Sequence, residues 1–476
     1  MNQKLDGGKI GILLLTVFGV LLFCIKFVRS STTITLLITG TVLIIVALFM
    51  GIKWKEIEDD IYSCLKSMFP SILILLSVGM LIGTWMTAGT IPVMVYYGMK
   101  ILSPGSFLVM ACIICATMSV MAGTSWGTIG TVGIALMGVS TGLGIPLHYT
   151  AGAVVVGAIF GDKMSPLSDT TVMASGVSDV EVVDHIKHML YTTVPGLLIS
   201  LILYFMLGLK FKEGIVGGES YELIMKTLEN SFNLNPVLLL PPVVVLVLIY
   251  LKKPTLPVFT VGIILGAILA VVFQGSSLNE IANALNRGFT SSTGVKVVDK
   301  MVLRGGLKSM MGTVALLIAA GILGAPLRTT GIIGFILDKI KNVAAKGSQM
   351  MAGTFFVHGL MFLITGSYYV TFAVIGPVVK PLFDKYGLDR KNLSRMLEDT
   401  GTALAPIVPW SITGAFIAGT LEVPTMDYFL YAPMTYLGMV FSLIYIFTGI
   451  AITKTDGGEA DTLSAVQSGA GELAAK

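Results

Sequence analysis

Charge is what this sequence has least of. Only 12% of its 476 residues are Asp, Glu, Lys or Arg, while 54% are hydrophobic. A soluble chain carries about 25% charged residues, so a soluble globular protein is excluded. Many segments reach the roughly 20 apolar residues that cross a bilayer. The fold expected is all-α, a polytopic bundle of membrane helices. Basic charge is scarce too. The net charge is +4, spread along the chain without a basic stripe and interleaved aromatics, which excludes nucleic acid as a partner. There are four cysteines, Cys24, Cys64, Cys112 and Cys115. Cys112 and Cys115 form a C-x-x-C, but inside the apolar run 107–121 and on one helix face. They are expected to pack rather than to bind metal or exchange disulfides. Neither H-E-x-x-H nor a phosphate-binding P-loop occurs, so the chain is expected not to be an enzyme and not to be driven by ATP.

What is there is a series of apolar runs. Runs 10–27 and 33–52 are expected to be two opening spans, within residues 1–53. No small-residue cleavage site follows the first run, so it is read as retained. Residues 54–66 carry Glu56, Glu58, Asp59 and Asp60 and are expected to lie at the membrane interface. Spans at 71–88, 107–121 and 191–209, with a short segment 91–101, complete a first unit, residues 54–210. Residues 211–277 are expected to form a linker and two bridging spans. A second unit, residues 278–450, has spans near 310–327, 350–365 and 428–449 and a short segment 331–340. Residues 451–476 have no apolar face and are expected to be a disordered tail.

Chemistry concentrates in residues 157–174. Asp162, Lys163, Ser165, Ser168, Asp169, Thr170 and Thr171 follow an apolar run, and Pro166 sits among them. Proline cannot continue a regular helix, so a span is predicted to break there. Irregular backbone at membrane depth survives only inside protein or beside a water-filled cavity. A carboxylate at that depth costs about 2.5–3.5 kcal/mol on insertion scales, so an ion or proton site is the default reading. A second break is predicted within residues 393–413, which hold Asp399, Thr402, Ser411 and Thr413.

Three anchors recur in the same order. Leu81-Ile82-Gly83 resembles Ile322-Leu323-Gly324. Gly123-Thr124-Ser125 with Thr128 resembles Gly366-Ser367-Tyr368 with Thr371. Pro166-Leu167-Ser168-Asp169-Thr170 resembles Pro409-Trp410-Ser411-Ile412-Thr413. Repeated halves with interrupted helices are the pattern of secondary transporters, with the site expected where the breaks meet. The halves are expected to be inverted. A hard cation such as sodium takes oxygen ligands, and the breaks supply them. Asp162, Asp169 and Asp399 are the candidate coupling carboxylates, with sodium at Asp162 and Asp169. Thr124, Ser125, Thr128, Ser165, Ser168, Thr170, Thr171, Ser367, Thr371, Thr402, Ser411 and Thr413 are candidate neutral ligands. Lys163 is read as a partner of either aspartate in its own break, as an anion anchor, or as a lysine snorkelling to the surface; the last is favoured. Glu398 and Asp399 follow Arg390, Lys391 and Arg395, and a solvated helix start accounts for them equally well. His185 and His188 are expected on a solvated face, and His148 and His358 as packing histidines.

Residues 123–130, GTSWGTIG, and 157–171, GAIFGDKMSPLSDTT, together with 398–406, EDTGTALAP, resemble the NhaC-type sodium/proton antiporter family, within a wider ion-transporter superfamily. The likeness covers about residues 54–449. It implies a bacterial inner-membrane antiporter with sodium and protons as cargo, membrane lipid around it, no cofactor, and a homodimer as a candidate assembly. The family also contains malate/lactate-type exchangers of organic anions, which leaves that reading, and amino acid exchange, open as the alternative. An anion exchanger wants a cationic anchor, for which Lys163, Arg304, Lys308 and Arg328 are the candidates, Arg328 and Lys163 foremost.

Overall fold

The structure is a computed structural model that describes residues 7–28, 30–211, 219–331 and 346–455. Among these residues every regular element is helical, apart from one isolated bridge between Leu388 and Lys454. Among the described residues eight helices are long and apolar enough to cross a membrane, or ten if two sharply bent pairs each count as one span. The chain is a multi-pass membrane protein. The short segment 331–340, beyond its first residue, and nearly all of the tail 451–476 lie outside the described residues.

The expected interfacial segment and the span after it form one helix, Trp54–Thr87, with Pro70 inside it. A proline removes one backbone hydrogen bond, and neighbouring helices in a membrane bundle tolerate that loss. The wet end of this helix carries pairs from Lys55 to Glu58 (3.3 Å) and Asp59 (3.0 Å). Such spacings suit exposed helix faces.

The most extensive helix contact among the described residues joins Phe107–Ala122 to Leu147–Met164. Gly157 and Gly161, four residues apart, face this contact. A Cβ on Gly157 would fall 2.2 Å from the Cys112 carbonyl oxygen, and one on Gly161 would fall 2.4 Å from that of Ala116. Small residues at this spacing let two backbones approach. Cys112 and Cys115 are buried in this contact as free thiols, as packing residues should be.

Two breaks share a local design. Gly123 (φ +67°) ends Phe107–Ala122, and Gly366 (φ +63°) ends Gly347–Thr365. An extended residue follows each, Thr124 and Ser367, and then a new helix begins. Each glycine lies against a second interruption. The Gly123 Cβ position is 2.7 Å from Leu167 Cβ, and that of Gly366 is 3.1 Å from the Trp410 carbonyl oxygen. The Ile412 amide donates to the Gly366 carbonyl at 3.0 Å. Gly123 and Gly366 thus both end a helix in the left-handed region beside another interruption of the chain.

A surface tie joins the turn after Asp169–Val177 to the helix Tyr368–Lys385. Asp179 accepts from Lys380 (2.5 Å) and Arg390 (3.0 Å), and Arg390 also pairs with Asp384 (2.8 Å). The Lys380 hydrogen bond, first of all, holds the Asp179 carboxyl below its ordinary range.

Two outcomes follow from this packing. Gly161→Val should destabilise the protein by about 1–3 kcal/mol through overpacking, read as a lower thermal midpoint in detergent. Asp179 has a lower pKa folded than unfolded, so its stabilisation is present above the unfolded value of about 3.9. It is lost as the pH falls through the folded value. Asp179→Asn should remove that increment, so a pH series of unfolding curves should show less acid sensitivity below about pH 4 in the variant.

Candidate functional site

The helix Leu147–Met164 stops at Ser165, which is extended (φ −91°, ψ 126°), and a new helix, Asp169–Val177, starts after Ser168. Ser165 anchors the break by donating to the Val120 carbonyl (2.8 Å) and accepting from the Leu167 amide (3.2 Å). Asp162 lies in the last turn of the first helix and is 3% exposed. One of its oxygens accepts from Ser168 (2.7 Å) and the other from Ser125 (2.9 Å). Thr171 donates to the Asp162 carbonyl at 3.2 Å, and Thr170 sits 2.9 Å from the Ser168 hydroxyl. Two interrupted helices thus converge on one carboxylate, because Ser125 follows the break at Gly123 and Ser168 follows the break at Pro166.

Asp162 opens into a cavity of about 370 Å³. Thr124, Ser125, Trp126, Asp162 and Asp169 line it on one side, and Ser367, Tyr368, Tyr369 and Ile412 on the other. Trp126 stacks on Phe416 across the divide, with ring centroids 4.3 Å apart. Asp169 sits at the exposed mouth, where the Tyr369 hydroxyl donates to it. The charged lining residues are both acidic, so the cavity suits a cation. Six of the residues singled out from the sequence meet here: Thr124, Ser125, Asp162, Asp169, Ser367 and Tyr368. Trp126, Tyr369, Ser71 and Thr255 also line the cavity and were missed: the aromatic side chains carry no ion-ligand signal, and the two hydroxyls sit in ordinary apolar runs.

The other candidate hydroxyls have different occupations. Thr128 donates to the Thr124 carbonyl (3.0 Å) and Thr371 to that of Tyr368 (3.1 Å). Ser411 donates to the Ala405 carbonyl (2.6 Å) and caps its helix through the Gly414 amide (2.8 Å). The Thr402 and Thr413 hydroxyls are buried beside Glu398 and Tyr368.

Lys163 points the other way from the cavity. Its ammonium lies 3.0 Å from Asp399, with the two side chains 2% and 0% exposed. Thr192 donates to the same Asp399 oxygen at 3.0 Å. The favoured reading of a snorkelling lysine is corrected, as is its pairing with Asp162 or Asp169: the counterion comes from the distant helix Lys391–Thr400. That helix is not a solvated start either. Arg395, Glu398 and Asp399 are all buried, while Arg390 and Lys391 serve acids outside it, Asp384 and Asp389. His185 and His188 are also corrected from solvated to buried. They meet Ser394 (2.8 Å) and Asn392 (3.2 Å) on that same helix. Their spacing of three places both on the inner face, which the neighbouring acids disguised. His358 bonds to Thr400 at 2.6 Å, and His148 packs on Tyr149 and Tyr431. Arg328 is half exposed, pairs with Asp60 at 3.5 Å, and does not line the cavity.

Two Gly-x-Ser-x-Gly strings occur, residues 123–127 and 138–142. Their serines serve structure: Ser125 donates to Asp162, and Ser140 donates to the Ile145 carbonyl. Neither bonds to a histidine, as a hydrolase nucleophile requires.

Breaking a buried ion pair from one side leaves an uncompensated charge and costs about 3–5 kcal/mol. Lys163→Met should destabilise by that order, and adding Asp399→Asn should recover much of the loss. A double-mutant cycle of thermal stability checks this.

Comparison with known proteins gives the family. A family model described as the Na+/H+ antiporter family matches residues 8–176 and 157–450. The chain is 36% identical over 427 residues to the Na(+)/H(+) antiporter NhaC of Bacillus subtilis, covering 89% of this chain and 94% of that protein. It is 35% identical over 430 residues to the malate-2H(+)/Na(+)-lactate antiporter of the same organism, covering 90% and 92%. It is 35% identical over 421 residues to the arginine/ornithine antiporter ArcD of Halobacterium salinarum, covering 87% and 86%. With matches that run nearly end to end, this chain belongs to the Na+/H+ antiporter family.

Proposed function

We propose that the protein is a secondary active antiporter that exchanges sodium for protons across the bacterial inner membrane by alternating access. The observation that carries this reading is Asp162. It is a buried carboxylate at the end of a broken helix, held by two hydroxyls, and it opens into an acidic cavity. Sodium and a proton compete for the same carboxylate oxygens, since a cation nearby favours the ionised form. Exchange follows if the site faces the two sides of the membrane in turn and crosses only when one of them is bound. Ser125 and Ser168 supply neutral oxygens that serve the cation, and they donate to the bare carboxylate when it is absent. Asp169 at the mouth adds attraction for cations, and no cofactor enters the scheme.

Residues 54–210 and 278–450 are read as duplicated, inverted units. The matching left-handed glycines at 123 and 366 and the extended residues after them support this, as do the ordered sequence anchors. Opposed broken helices are how transporters of this design build a midplane site.

The alternative is exchange of an organic substrate coupled to the same ions, since relatives named for malate, lactate, arginine and ornithine are as similar as those named for sodium. The acidic lining weighs against an organic anion, because the charged side chains facing the cavity are Asp162 and Asp169. A sodium pulse to everted vesicles carrying a pH dye separates the two readings. It should dissipate the proton gradient with no organic acid or amino acid present; a response only with such a substrate supports the alternative. Asp162→Asn should abolish sodium-driven proton movement and leave membrane insertion intact. Undiminished exchange in that variant would remove Asp162 from the site.

A further inference from the structure

Sodium exchange uses only one corner of the cavity. A hard cation takes oxygen ligands, and Asp162 with Ser125 and Ser168 supplies them at one end. The cavity measures about 370 Å³, far more than a single ion fills. That size falls among pockets that hold small organic molecules, about 300–1,000 Å³. Much of the remaining wall is apolar or aromatic: Ile74, Trp126, Tyr368, Tyr369, Val370 and Ile412. The rings come from both units and are fixed by their neighbours. Phe416 stacks on Trp126 with the ring planes 9° apart. Tyr368 and Tyr369 pack on each other with ring centroids 4.5 Å apart. Tyr369 also donates its hydroxyl to Asp169, so a ring and a carboxylate from different units meet at the mouth. None of Lys163, Arg304, Lys308 and Arg328 lines the cavity.

We propose that the cavity takes a compact organic cation, of the quaternary ammonium or guanidinium class, in place of sodium and exchanges it for protons. This inference rests on the reading of Asp162 as the exchange site and extends it to a second class of substrate. A strongly hydrated sodium ion is stabilised by oxygens alone. The apolar hull of an organic cation also buries against these walls, and its charge is attracted to the ring faces, most of all to that of a Trp. Asp162 and Asp169 supply the counter-charge. An organic monocation neutralises Asp162 as sodium does, so it displaces the proton in the same way. The same two carboxylates reject a ligand that carries a carboxylate of its own, because like charges repel strongly in a site shielded from water. The class is therefore cations without an acid group, which separates it from organic anions and from amino acids.

The test uses the purified full-length protein in liposomes with a trapped pH dye. Choline and methylguanidinium are the probes, since neither releases a proton near neutral pH. Each should raise the sodium concentration for half-maximal exchange without lowering its maximum, and a pulse of either alone should move protons. Two analogues of choline separate the causes. One is neutral, with a tert-butyl group in place of the trimethylammonium; the other, glycine betaine, carries the same ammonium with a carboxylate. Both should be without effect. Trp126→Leu and Tyr369→Leu should each weaken choline about 3–30-fold, and weaken it more than sodium. Tyr369→Phe, which keeps the ring, should retain most of the choline affinity, and the two Tyr369 variants decide the matter if Trp126→Leu does not fold. Failure of both cations to move protons overturns the proposal. Equal competition by the neutral analogue or by betaine overturns it too, as does an equal loss of sodium and choline affinity in Tyr369→Leu. Sodium that moves no protons in the wild type overturns the sodium exchange reading instead, whatever the organic cations do.

Discussion

A carboxylate removed from water must be given donors, a cation or a proton, and this requirement organises the centre of the molecule. A regular helix cannot satisfy it, because its own amides are already used in the helix ladder. The chain interrupts its helices instead. The Gly123 and Pro166 breaks bring Ser125 and Ser168 to the two oxygens of Asp162 from different segments. The close approach at Gly157 and Gly161 holds the helix that carries Asp162 against Phe107–Ala122, whose end sets the Gly123 break. The irregular backbone and the tight regular packing are parts of one device.

Two consecutive residues then face two different environments. Asp162 meets hydroxyls and a cavity, while Lys163 meets Asp399 in a dry interior. The Lys163 pair does not stabilise the fold in the way an apolar pair would, because the desolvation of two charges offsets most of their attraction. Its effect is positional. It fixes the rotation of the last turn of Leu147–Met164, and with it the direction of Asp162. It also places a compensated charge beside Glu398, a helix turn from the cavity wall.

Much of this was legible in the residues. The scarcity of charge identified a membrane bundle, and Pro166 among hydroxyls located the break. Thr124 and Ser125, and Ser367 and Tyr368, from two stretches alike in sequence, all line the cavity. What stayed hidden was which charged residue looks inward. Lys163, His185, His188 and Glu398 sit in stretches as polar as any surface helix, and composition cannot separate a charge facing water from one facing a partner more than 200 positions away. Such pairings are set by tertiary packing, to which local pattern is blind. The division between an interfacial segment 54–66 and a span 71–88 did not hold either: the two are one helix, which carries Pro70 within it.

The charged contacts between residues 54–210 and residues 278–450 are of two kinds, and the difference bears on any motion that turns Asp162 toward the other side. At the periphery Asp179 meets Lys380 and Arg390, and Tyr369 meets Asp169 at the cavity mouth. Exposed pairs of this sort contribute about 0–1 kcal/mol each, and water replaces the partners as they part. The Lys163–Asp399 pair has no water to replace either member, and separating it costs several times as much. A rearrangement that exchanges the peripheral contacts while keeping the buried pair intact is therefore the least expensive one. It would leave the last turn of Leu147–Met164 as the fixed point about which the cavity walls move. Asp162, one residue from that point, would then change its access with little change in its bonds to Ser125 and Ser168.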